Sequence, residues 1–208
     1  MRNKRSFLLY CLVSGITPGP ANLCSLSVAI RFGRSVALRQ WRGIFTGYAI
    51  VSFVSGVLAY FLGNALNEYV NAFSFVGAAY IVWLAFKMLR AKYEGGEDEN
   101  AFADGSVAEN AAGSFGFKSG VLVQLTNVKI MIFCITAQTS FLLPYNQSFA
   151  AVMLLAAFLP LTGPMCNMVW LLTGVALRRF FAKNQKWVNL AMFVALLACA
   201  IKIFDFVS

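Results

Sequence analysis

The sequence predicts an all-α polytopic membrane protein of six transmembrane helices, arranged as two inverted three-helix repeats. Three observations carry this. Of the 208 residues, 60% are hydrophobic and 12% charged, where an ordinary soluble domain has about a quarter charged. The apolar residues form blocks of about 20 or more, long enough to cross the hydrocarbon layer as helix. Backbone groups in lipid have no water to bond, so such blocks become helices. An acidic segment divides the chain into halves of three blocks each, and an odd number of spans makes the second half enter the membrane the opposite way.

Span 1 covers residues 6–30. Arg2, Lys4 and Arg5 precede it as in a signal peptide. The run is too long for such a peptide's apolar region and ends in no small-residue cleavage site, so it is expected to be retained. Thr17-Pro18-Gly19-Pro20 interrupts it: proline removes a donor and clashes with the preceding turn, which breaks the helix at mid-depth. A basic connection with Arg31, Arg34, Arg39 and Arg42 leads to span 2 at 43–63. The short polar turn 64–68 makes span 3, at 69–89, its antiparallel neighbour.

The segment from Tyr93 to Ser114 contains six of the eight acidic residues, among glycine, alanine and asparagine. It cannot bury enough apolar area to order itself. The organisation is therefore a first repeat at 1–92, an acidic flexible cytoplasmic linker at 93–116 and a second repeat at 117–208. Span 4 (117–143) holds Asn127 and Lys129. Pro144-Tyr145-Asn146-Gln147 turns into span 5 (149–177), with Pro160 and Gly163-Pro164. After Arg178, Arg179, Lys183 and Lys186 comes span 6 at 187–207.

The connections 1–2, 3–4 and 5–6 carry twelve of the cations, counting Lys87, Arg90, Lys92 and Lys118. The positive-inside bias puts them in the cytoplasm and both termini outside, against only Arg2, Lys4 and Arg5. The net charge of +9 thus flanks membrane helices and makes no continuous basic surface, so no nucleic acid is expected as partner. The five cysteines lie inside apolar blocks with no C-x-x-C and no histidine as co-ligand. They read as small packing residues, with no metal and no cofactor expected.

Both halves open on a related string, Ser14-Gly15 before Asn22 and Ser119-Gly120 before Asn127, as expected of interrupted helices at a repeat interface. The Pro18-Gly19-Pro20 break frees backbone groups at mid-depth, where only protein or water can cover them. Lys129 lies well inside span 4, where an unpaired cation would be costly, and becomes a candidate for a substrate carboxylate. Asn22, Asn127 and Asn167 are amides in apolar surroundings that need partners, as interhelical ties or substrate contacts. Gly43 and Gly47, four apart, read as close helix packing, with Tyr48 beside them either reaching the pathway or packing. The candidate substrate-binding residues are Pro18, Gly19, Pro20, Asn22, Tyr48, Asn127, Lys129 and Asn167.

At these residues the sequence resembles the lysine exporter and homoserine/threonine resistance family of amino-acid exporters. The likeness rests on Thr17-Pro18-Gly19-Pro20-Ala21-Asn22, on Gly43/Gly47, and on Gly77-Ala78-Ala79-Tyr80-Ile81-Val82-Trp83-Leu84-Ala85. Where the family commonly has Asn-Pro-Lys, this chain has Asn127-Val128-Lys129, similar to the cysteine/O-acetylserine exporter subgroup. Thr139-Ser140-Phe141, Asn189-Leu190, Cys199-Ala200 and Ile203-Phe204 extend that similarity. The resemblance implies a multi-pass exporter of small amino acids in a bacterial inner membrane, not an enzyme, coupled as an antiporter to the proton gradient. The missing proline leaves open whether span 4 breaks like span 1. The oligomeric state also stays open, a homodimer included.

Besides a partner-only membrane scaffold, in which Pro18, Asn22 and Lys129 would tolerate substitution, two rivals remain at this point. A metal-ion exporter would use Cys24, Cys134 and Cys166 as soft ligands, but the spans lack acidic residues and histidines. A membrane thiol–disulfide relay enzyme needs an accessible low-pKa cysteine pair, which the spacing does not suggest.

Overall fold

The computed structural model describes residues 2–62 and 115–182, with 79, 82–83, 85–86, 187, 190–191, 193–198 and 201. The expected turn 64–68, the acidic segment 93–114 and the rest of spans 3 and 6 lie outside the described residues. Five helices are described: α1 Arg2–Ile16, α2 Pro20–Leu62, α3 Phe117–Leu125, α4 Val128–Phe141 and α5 Phe149–Ala182. The isolated described residues within spans 3 and 6 are helical as well.

The distribution of polarity marks the solvent. On α5, Leu154, Phe158, Leu161, Met165, Val169 and Leu172 stand exposed at helical spacing, and on α2 so do Ile50, Phe53, Val54, Val57, Leu58 and Phe61. The buried face of α2 instead holds Gln40, Gly43, Gly47, Tyr48, Ser52 and Ser55. A helix whose outside is more apolar than its inside is matched to lipid and not to water. The described residues are those of an α-helical membrane protein.

The break expected in span 1 is present: α1 stops at Ile16, Thr17 to Gly19 are non-helical, and α2 starts on Pro20. Proline suits that first helical position because its missing N–H would be unbonded there anyway. The basic connection proves far shorter than 31–42. It is helical apart from Gly33, whose φ of 77° and ψ of −174° fold α2 back on itself. The proof is a contact: the Gln40 Nε2 donates to Cys24 Sγ at 2.9 Å, although sixteen residues of straight helix would separate them by about 24 Å. The positive φ needs glycine, since a Cβ would meet the following carbonyl. Phe115 and Gly116, the last residues of the expected linker, are buried, and Phe115 stacks on Phe32 beside this turn at 4.9 Å.

Span 4 is broken too, without a proline: α3 and α4 meet at 59°. Thr126 ends α3, its hydroxyl donating to the Leu122 carbonyl at 2.9 Å. Asn127 is extended, and its carbonyl accepts from both Ile130 and Met131 to start α4. Short polar side chains compete for helix carbonyls and favour such junctions.

Glycine sets the packing of α2 on α3. A Cβ on Gly43 would collide with the Phe117 carbonyl, one on Gly120 with the Gln40 carbonyl, and one on Gly47 would lie 2.9 Å from the Val121 carbonyl. The contacts ascend together in both helices, so the arm 34–62 runs parallel to α3. Span 4 is thus antiparallel to the arm 20–32. Span 5 runs the other way from 34–62, as Ser52 meets Ala156 and Tyr48 meets Gly163. It is unbroken across Pro160 and Pro164. Pro160 cannot donate to the Ala156 carbonyl, and Ser52 Oγ takes that place at 2.9 Å.

Candidate functional site

The two helix breaks meet. Lys129, in the first turn of α4, donates to the Thr17 carbonyl at 2.8 Å and to Thr17 Oγ1 at 2.7 Å. Thr17 stands where α1 has ended, so its carbonyl has no helical partner and is open to the ammonium. The lysine stem lies over Gly19, where a Cβ would come within 3.2 Å of Lys129 Cδ.

A chain of amides closes the other side. Asn22 Nδ2 donates to the Gly15 and Thr17 carbonyls, both at 3.0 Å, stapling α1 to α2 across the gap. Asn22 Oδ1 accepts from Asn167 Nδ2 at 2.9 Å, and Asn167 Oδ1 accepts from Ser25 at the same distance. Two tryptophans add to the frame, Trp170 donating to the Ile16 carbonyl at 3.2 Å and Trp41 to the Pro164 carbonyl at 2.9 Å. In a membrane each carbonyl freed by a break needs such a donor.

Between these groups lies a cavity of about 20 Å³, room for a water molecule. Of the eight expected residues, Gly19, Asn22, Tyr48, Asn127, Lys129 and Asn167 line it, while Pro18 and Pro20 shape the break without lining it. Gln124, Ser14, Gly15, Gly163 and Pro164 also line it. Gln124 had a visible signal, a second amide three residues before Asn127 in an apolar span. Gly163-Pro164 had a signal in its likeness to the Gly19-Pro20 pair of span 1, but Gly163 is there because its missing Cβ admits the Tyr48 ring.

Two helix starts face the cavity, at Ala21 and Asn22 of α2 and at Lys129 and Ile130 of α4. First-turn N–H groups lack intrahelical partners and carry partial positive charge, which with the ammonium makes a place for an anion. Asn127 supplies the opposite character. Its Nδ2 donates to Gln124 at 3.3 Å, and its buried Oδ1 has no hydrogen-bond partner among the described residues. The site therefore presents a cation and an unmet acceptor side by side.

The cysteines sit otherwise. Cys24 and Cys134 are buried in separate apolar clusters, and no group of three His, Cys, Asp or Glu suited to a metal ion occurs among the described residues.

Known proteins are similar to the chain along nearly its whole length. A cysteine/O-acetylserine efflux protein of Salmonella choleraesuis (strain SC-B67) is 32% identical over 199 residues, 96% of either chain. Its namesake in Salmonella typhi is 32% identical over 202 residues, again 96% of each. That of Escherichia coli (strain K12) is 30% identical over 199 residues with the same coverage. No solved structure matches. The profile of the LysE type translocators matches residues 12–204, taking in both helix breaks and everything between them. The chain belongs to the LysE type translocator family and is a membrane transporter, not an enzyme.

Proposed function

We propose that this transporter exports small amino acids, cysteine and O-acetylserine in particular, across a bacterial inner membrane as a proton-driven antiporter. The observation that carries the reading is the meeting of two broken helices at one small cavity beneath the Lys129 ammonium. An amino-acid zwitterion needs a cation for its carboxylate and an acceptor for its ammonium. Lys129 and the two helix starts suit the first, and Asn127 Oδ1 with Gln124 the second. Pro18, Gly19 and Pro20 keep span 1 open, Asn22 and Asn167 hold the frame, and Tyr48 forms a wall. The choice of cysteine and O-acetylserine follows the names of the relatives.

The cavity holds less than an amino acid, so transport requires it to widen toward one side at a time. Two inverted three-helix repeats, rocking about the site, would do this. In support, Ser-Gly and a following Asn recur in spans 1 and 4, both spans are broken, and they run antiparallel. We further infer periplasmic termini, a cytoplasmic linker, protons as the counter-substrate, and assembly as a homodimer.

The test is uptake by inverted vesicles or proteoliposomes of labelled cysteine, O-acetylserine, threonine and lysine, with a pH gradient imposed and then collapsed. Accumulation of cysteine and O-acetylserine that fades with the gradient is expected. Lysine transport with neither of those would reject the substrate assignment. A variant with all five cysteines replaced by serine or alanine should still transport, which a metal carrier or thiol relay would not.

A further inference from the structure

A column of polar side chains leaves the cavity toward the turn between α4 and α5. Tyr48 walls the cavity, and its hydroxyl meets Cys134 and Thr162. Cys134 also meets the Ser52 hydroxyl. One turn beyond lies Gln138, since residues 134 and 138 share a face of α4 as 48, 52 and 56 share a face of α2. The amide rests on bare Gly56, where a Cβ would be 3.1 Å from Gln138 Nε2, in a niche also walled by Val152 and Met153.

Gln138 is 0% exposed, and neither its Nε2 nor its Oε1 has a hydrogen-bond partner among the described residues. Buried amides are almost always bonded, and leucine would fill such a niche at no polar cost. Ser52, by contrast, is used by the Ala156 carbonyl. The unmet group is thus a single amide, placed one helical turn past Cys134 and Ser52.

We propose that Gln138 is a further substrate-contact residue on the outward half of the path. When Tyr48, Cys134 and Ser52 part, Gln138 Oε1 accepts from the ammonium of the departing amino acid. This rests on the export reading above. A glutamate at 138 keeps an acceptor, whereas a leucine of similar size does not.

The experiment compares counterflow of labelled cysteine and O-acetylserine by the full chain in proteoliposomes, for wild type, Gln138→Leu and Gln138→Glu, with Tm in detergent. Expected are a turnover lower by about tenfold for Gln138→Leu, an apparent KM within about twofold, an undiminished Tm, and substantial recovery in Gln138→Glu. Wild-type turnover in Gln138→Leu overturns the assignment, as does a loss that follows Tm and is not recovered by glutamate. A wild type that moves neither compound overturns the export reading and this inference together.

Discussion

Lys129 occupies the first turn of α4, where the helix dipole disfavours a cation. Its bonds to Thr17 compensate only in part, since a carbonyl and a hydroxyl are neutral acceptors. An anionic substrate group is the stronger partner. Lys129→Met should lower counterflow by about tenfold or more with expression and Tm retained; unchanged transport would remove the residue from the mechanism. Two glycines test the frame separately. At Gly120 an added Cβ strikes backbone, so Gly120→Ala should cost about 1–3 kcal/mol and lower Tm. At Gly19 it meets only the lysine stem, so Gly19→Ala should spare Tm and reduce transport. Equal Tm losses at both positions would contradict this.

At the scale of the element, prolines break one helix and leave another whole. In span 1, Pro18 and Pro20 flank Gly19, and three neighbouring residues leave the helix. In α5, Pro160 and Pro164 are four apart, and the carbonyl freed by Pro160 finds Ser52. Ser52→Ala should therefore cost about 1 kcal/mol in the wild type, and almost nothing in Pro160→Ala, where the new N–H takes the Ala156 carbonyl. Equilibrium unfolding in a double-mutant cycle measures the coupling; additive effects would show that the hydroxyl is not replacing the helix bond. Two prolines four apart thus leave α5 whole, where Pro18-Gly19-Pro20 opens span 1.

For the whole molecule, an apolar exterior around a core that also holds bonded amides and hydroxyls follows from lipid as solvent. The cation bias predicts direction: reporters fused at either terminus should be active in the periplasm, and one inserted near residue 104 in the cytoplasm. The reverse pattern would invert the direction of the proposed path past Gln138. The apolar blocks, the break in span 1 and the tight approach at Gly43 and Gly47 were legible because each depends on residues close in sequence.

The sequence by itself determined that the chain is a bundle of membrane helices, and that its first helix must open at Pro18-Gly19-Pro20. Length, apolarity and proline act locally, and lipid leaves the backbone no alternative. Tertiary structure alone decided that span 4 opens as well, that α2 doubles back at Gly33, and that Lys129 reaches Thr17 across 112 positions. Such contacts depend on which helix faces supply the partners that a broken backbone requires, and no local pattern encodes that.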